Sequence, residues 1–168
     1  MVTTQLIDRI ELQKYKQISN SINEAKLNEL ILQSQLVDLL PLLGERLYYD
    51  ILNNVGSYTD LLNGSSYNYN GVTYENVGLK CVLSHYVYAR HVMYGDQVDT
   101  AFGIREKLNN DVSKQVDYSM KKTTFKNNNE VAYNLWLNVE RFLVRTNVEL
   151  YKFCKTPKQK YFKISKIG

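Results

Sequence analysis

Glu75-Asn76-Val77-Gly78-Leu79-Lys80-Cys81-Val82-Leu83-Ser84-His85-Tyr86-Val87-Tyr88-Ala89-Arg90-His91-Val92-Met93-Tyr94-Gly95 is the stretch on which the fold turns. Leu79, Val82, Leu83, Tyr86 and Met93 recur at helical spacing, while Cys81, Val87, Tyr88, Ala89 and Val92 occupy the other faces. A helix apolar on nearly every side has to be covered by neighbours, either other helices of the chain or other subunits. Lys80, His85, Arg90 and His91 interrupt it, which makes it a poor membrane span. The expectation is a central helix wrapped by the rest of the chain, with Thr73 as its N-cap and Gly95 as its C-cap.

The chain on either side supplies candidates for the wrapping. Residues 1–19 read as an N-terminal arm or a short helix. Ser21-Ile22-Asn23-Glu24 has the spacing of a capping box and predicts a helix from about Ile22, with a stripe through Leu27, Leu30, Ile31, Ser34 and Val37. Pro41 should break that helix at an apolar corner, Leu39 to Gly44. A short helix through Leu47, Tyr48, Ile51 and Leu52 follows. Asn63 to Tyr74 is rich in turn formers and tyrosines and reads as a loop or small hairpin. Asp96 to Asp117 loses the helical signal and suggests an irregular or β-hairpin excursion. Helix resumes near Tyr118, falters at Asn127-Asn128-Asn129 and runs to Lys155, with Val131, Leu135, Val139, Phe142, Leu143, Thr146, Leu150 and Phe153 in one stripe and Trp136 beside it. The fold class is therefore all-α: four or five helices in a bundle over residues 20–155, a long excursion, and an extended basic C-terminal arm over 156–168.

At 168 residues and 44% hydrophobic, the chain is the size of one self-sufficient domain. Its formal charge of +4 is not spread evenly. Lys155, Lys158, Lys160, Lys163 and Lys166, with no acid among residues 155–168, leave the preceding body near neutral. The start has no basic region followed by an apolar run, so a cytoplasmic setting without a secretory signal is expected.

Cys81, His85, His91 and Cys154 are the only soft or imidazole ligands. Cys81 and His85 share a helix face at i, i+4, yet a structural zinc site needs four ligands, and packed helix residues are the simpler reading. Ser84 beside His85 is not a dyad, because adjacent helix positions diverge by about 100°. No phosphate-binding loop or dinucleotide fingerprint occurs, and carboxylates such as Glu24, Glu29, Asp38, Glu45 and Asp50 read as caps and solvated faces. Neither an enzyme nor a cofactor is expected. Lys158, Lys160, Tyr161, Phe162, Ile164 and Ile167 alternate in a way that suits a strand docking on a neighbour; a disordered lysine-rich end, or contact with phosphates and bases, are the alternatives. Tyr67 and Tyr69 in the tyrosine loop, and Phe102 and Ile104 in the excursion, are further interface candidates, because aromatic side chains are enriched where proteins meet.

The succession of a capped helix, Leu39-Leu40-Pro41-Leu42-Leu43-Gly44-Glu45-Arg46-Leu47-Tyr48-Tyr49-Asp50-Ile51-Leu52, and Gly78-Leu79-Lys80 opening a helix through Tyr86, Tyr88, Ala89 and Arg90 resembles the head-tail connector (adaptor, head-completion) proteins of tailed bacteriophages. Thr100 to Lys107 and the helix carrying Phe142, Leu143, Asn147 and Tyr151 stand where that family has a Gly-containing loop and a closing helix. The likeness covers roughly residues 20–155. It implies a structural virion protein at the head-tail junction, made in the host cytoplasm. Copies, commonly twelve, would form a ring below the portal, contact further neck or tail proteins, and pass genome DNA without sequence-specific binding or a membrane. The alternative is a small nucleic-acid-associated helical protein working through its lysine-rich tail.

Overall fold

The computed structural model describes residues 4–95, 97–100, 103–106 and 117–152, with backbone alone for 97–100, 103–106 and 152. Within these the chain is mostly helical, with two small antiparallel hairpins. The order is α1 (Arg9–Tyr15), α2 (Glu24–Ser34), a π-helical turn (Gln35–Leu39), α3 (Leu40–Leu43), α4 (Glu45–Asn53), a 3-10 turn (Val55–Tyr58) and α5 (Thr59–Asn63). Then come β1 (Ser65–Tyr69), β2 (Val72–Asn76), α6 (Leu79–Tyr94), β3 (Gln97–Thr100), β4 (Gly103–Glu106), α7 (Tyr118–Arg145) and α8 (Glu149–Lys152). The residues expected to form an irregular or hairpin excursion do contain a hairpin, β3 pairing with β4.

α6 is the centre. It packs most extensively on α7 and also touches α1, α2 and α5. Leu79, Val82, Leu83, Val87 and Ala89 have no exposed surface. At roughly 1.5–3 kcal/mol for each large apolar side chain buried, this one helix accounts for a sizeable share of the driving force for folding.

Of the two readings of residues 1–19, a short helix is what the described residues show, and it enters the core through Leu12, with its flanks adding Leu6, Ile7 and Ile18. Gln35 ties this segment down. Its buried amide oxygen accepts from the Leu6 N–H at 2.8 Å, and its amide nitrogen donates to the Thr4 carbonyl at 3.1 Å and the Tyr48 hydroxyl at 3.3 Å. A fully buried amide is tolerable because both ends are satisfied.

Several local expectations are corrected. α2 is capped by Asn23, whose side chain accepts from the Lys26 N–H, and not through the Ser21 capping box; the serine lies two residues before the cap. Pro41 does not break the helix. The preceding turn widens so that the Leu40 N–H bonds to Gln35 O, five residues back. The widened turn leaves room for a ring that would collide with the carbonyl four residues earlier in a regular α-helix. The extra residue also rotates the stripe: Leu39 and Leu43 are buried, whereas Val37, expected inside, is exposed. The helix ends at Gly44 instead.

α7 passes through Asn127-Asn128-Asn129 without a break, the Asn128 amide bonding back to Thr124 O and accepting from Lys16. It stops at Arg145 and not at Lys155, because Asn147 takes φ 61° and the Val148 N–H turns back to Leu143 O. Its buried stripe is Ala132, Trp136, Val139, Phe142 and Leu143; Trp136 is inside and Val131 exposed.

Thr73 is not the cap of α6. It sits in β2, and α6 starts after Gly78. Gly64 and Gly78 close the base of the first hairpin with φ of 90° and 83°. A Cβ on Gly78 would lie 2.5 Å from the Gly64 nitrogen, so the two backbones meet where no side chain fits. Gly78→Ala should cost about 2–5 kcal/mol from backbone strain and overpacking together. Urea unfolding monitored by circular dichroism measures it, and an unchanged midpoint would contradict this packing.

Candidate functional site

Asn70 and Gly71, both at positive φ, make the tight turn that joins β1 to β2. The register Tyr67↔Tyr74 and Tyr69↔Val72 then places these four side chains on one face of the hairpin. Ser66, Asn68, Thr73 and Glu75 fall on the other, where Thr73 Oγ1 donates to Asn68 Oδ1 at 2.7 Å. One face is aromatic and the other polar.

A single stripe of α7 holds the aromatic hairpin. Asn138 acts as a stand-in for backbone: its Nδ2 donates to Glu75 O and its Oδ1 accepts from the Val77 N–H, both at 3.0 Å. One turn on, Phe142 meets the Tyr67 ring edge-on at 5.1 Å. Arg145 completes the stripe. Its guanidinium lies 4.0 Å from the centre of the Tyr74 ring and 5.3 Å from that of Tyr69, and its Nη1 donates to the Tyr67 hydroxyl at 3.1 Å. Tyr67 and Tyr74 stack on each other at 5.8 Å. A guanidinium over aromatic faces contributes about 0.5–1 kcal/mol at exposed sites and more when desolvated. The mount is tied to α7 while the tip stays open: Tyr69 is 39% and Val72 51% exposed.

A second feature lies on the π-turn. Asp38 receives Arg90 through Nε at 3.0 Å and Nη2 at 2.9 and 3.0 Å, with both side chains largely buried. Burial pushes the Asp38 carboxyl up, against the lowering effect of the guanidinium. Tyr86 is pushed up to about 12 by burial and by the nearby Asp38 charge. The pair ties α6 to the widened turn, and the exposed Leu36 and Val37 flank it in sequence.

Of the residues singled out from sequence, Tyr67 and Tyr69 share the aromatic face, Tyr67 turned inward and Tyr69 outward. Ile104 lies in β4 opposite Asp99, and only its backbone is described. Phe102, Lys158, Lys160, Tyr161, Phe162, Ile164 and Ile167 lie outside the described residues, as does Cys154. The His85 Nδ1 is 2.9 Å from Cys81 O, so the imidazole bonds to the backbone of its own helix. Burial lowers the His85 pKa and raises that of the Cys81 thiol. Among the described residues no group of three or more His, Cys, Asp or Glu could hold a metal ion. No helix there is long and apolar enough to cross a membrane.

Asn138, Arg145 and Tyr74 were not singled out as site residues from sequence. The Asn70-Gly71 pair, flanked by alternating tyrosines, carries the signal that would have fixed the register and the aromatic face. Nothing local marks Arg145, which is about seventy residues away.

With this arrangement established, a family description fits residues 39–162, most of the chain. The chain belongs to DUF6712, a family of unknown function. No curated protein and no solved structure matches it. The DUF6712 span takes in both halves of the hairpin mount and all of α6, and runs across α8 into the basic segment.

Arg145→Ala should loosen the hairpin from α7 and cost about 1–2 kcal/mol, from lost stacking and one hydrogen bond. Faster amide exchange confined to residues 65–76 is the expected readout. Uniform exchange across α6 and α7, or none, would contradict the clamp.

Proposed function

We propose that this protein is a structural component of a tailed-phage virion, a subunit of a ring below the portal that joins head to tail and extends the DNA channel. In this reading the helical body is the ring segment. Its partners are further copies of itself, the portal protein and other neck or tail proteins. Genome DNA passes without sequence-specific contact.

The observation that carries the proposal is the mounted hairpin. A two-stranded hairpin alone is marginal in water, and this one is fixed to α7 at three successive positions. The tip it presents is apolar, with Tyr69 and Val72 exposed side by side. Fixing such a tip in advance lowers the ordering cost of binding, which suits a contact repeated around a ring. A tip meeting a different surface on the next copy is a heterologous contact, the kind that closes into a ring when the rotation between copies permits. The likeness in element order from Leu39-Leu40-Pro41 through Gly78-Leu79-Lys80 to the helix bearing Phe142 and Leu143 supports the same reading.

Replacing both exposed tip residues, Tyr69→Asp with Val72→Asp, should leave helicity intact and reduce assembly by tenfold or more, about 1.4 kcal/mol or greater per contact. Light scattering on the protein alone and mixed with its portal measures this. Wild-type mass unchanged by the double substitution would contradict the tip as the ring contact. A wild-type monomer that ignores the portal but retards DNA, with steep loss on added salt, would favour the nucleic-acid reading instead.

A further inference from the structure

We propose that the shallow groove between α4 and α8 seats this chain's own basic C-terminal segment, residues 155–168. The inference is independent of the ring reading.

The groove has a volume of about 590 Å³ and is lined by Glu45, Arg46, Tyr49, Asp50, Asn53 and Leu150. α4 turns Leu47, Tyr48 and Ile51 into the core, and its other side forms the groove. There the Tyr49 ring, 41% exposed, and Leu150 supply an apolar floor. Glu45 and Asp50 set two carboxylates against the single guanidinium of Arg46. Asp50 accepts from Asn54 at 3.0 Å and from the Tyr58 hydroxyl, leaving its carboxylate further acceptor capacity. Burial and the hydrogen bond to Asp50 push Tyr58 up to about 12, so the phenol stays a donor.

The occupant is argued from charge, composition and tether. Residues 155–168 carry five lysines and no acid, interleaved with Tyr161, Phe162, Ile164 and Ile167. Lysines facing Glu45 and Asp50, with the apolar residues on Tyr49 and Leu150, match groove and segment in both charge and hydrophobicity. The chain leaves α8 at Lys152, two residues beyond Leu150 in the groove wall. A tether this short sets an effective concentration in the millimolar range, which a separate copy would have to exceed. The sixteen residues after Lys152 can span about 50 Å when extended, so length is no obstacle. The family match continues across α8 to residue 162, which places the first part of the basic segment in the same unit as the groove.

The test is photo-crosslinking in the full chain with a benzophenone amino acid at position 49 and, in a second variant, at position 53. An equal mixture of ordinary and nitrogen-15-labelled protein separates links within a chain from links between chains. The expected result is a link from the probe to residues 155–168 within one chain, its yield falling about threefold when Lys158→Glu and Lys160→Glu are combined. Links joining light and heavy chains, links to another segment, or no link from either probe would overturn the proposal. Ring formation can succeed or fail in any of these cases, so the two readings are tested separately.

Discussion

An apolar helix face must be covered, and the requirement to cover that of α6 organises this molecule, while Cys81, His85, Tyr88 and Val92 form a half-buried stripe along the same helix. Left in water its apolar side chains would each be unfavourably hydrated, so α1, α2, α5 and α7 gather around it. Other features follow from that gathering. The π-turn lets the α2 helix carry Pro41 and still deliver Leu39 and Leu43 to the core. Gln35 draws the N-terminal segment in with two hydrogen bonds and ties it to α4 with a third, to Tyr48, and Asp38 with Arg90 locks the widened turn to the far half of α6. A largely buried ion pair of this kind fixes register more than it adds stability, since desolvation offsets much of the attraction.

The aromatic hairpin depends on the same helix pair. Gly78 opens α6 and touches Gly64, so the hairpin base sits directly on the start of the central helix. Asn138, Phe142 and Arg145 approach from α7, the helix that covers α6 most extensively. The projecting tip is thereby referenced to the core through two helices. A presenting surface built this way is suited to repeated contacts between subunits, which is why the ring reading rests on it.

The sequence made the centre legible because periodicity records burial: Leu79, Val82, Leu83 and Tyr86, at helical spacing, are the residues buried. Boundaries were harder to read, since each depends on a partner distant in sequence. Thr73 has good capping chemistry, but pairing with Asn68 across β1 and β2 prevailed. Pro41 is a helix breaker locally, and a one-residue widening accommodated it. Asn127-Asn128-Asn129 has weak helix propensity, yet the packing of α7 on α6 and the bond from Lys16 carry the helix through. At the candidate site the tyrosines were visible as a composition shift, whereas Arg145 was invisible because its role exists only after α7 docks.

The ring proposed above has copies of this chain closing on a portal protein. The most direct measurement of that proposal is electron microscopy of the purified protein mixed with a candidate portal protein, with rotational symmetry determined from class averages. The account predicts a closed ring of fixed symmetry in which the β1–β2 tip of each copy contacts its neighbour. Particles that remain monomeric in the presence of the portal, or rings in which Tyr69 and Val72 face only solvent, would contradict it.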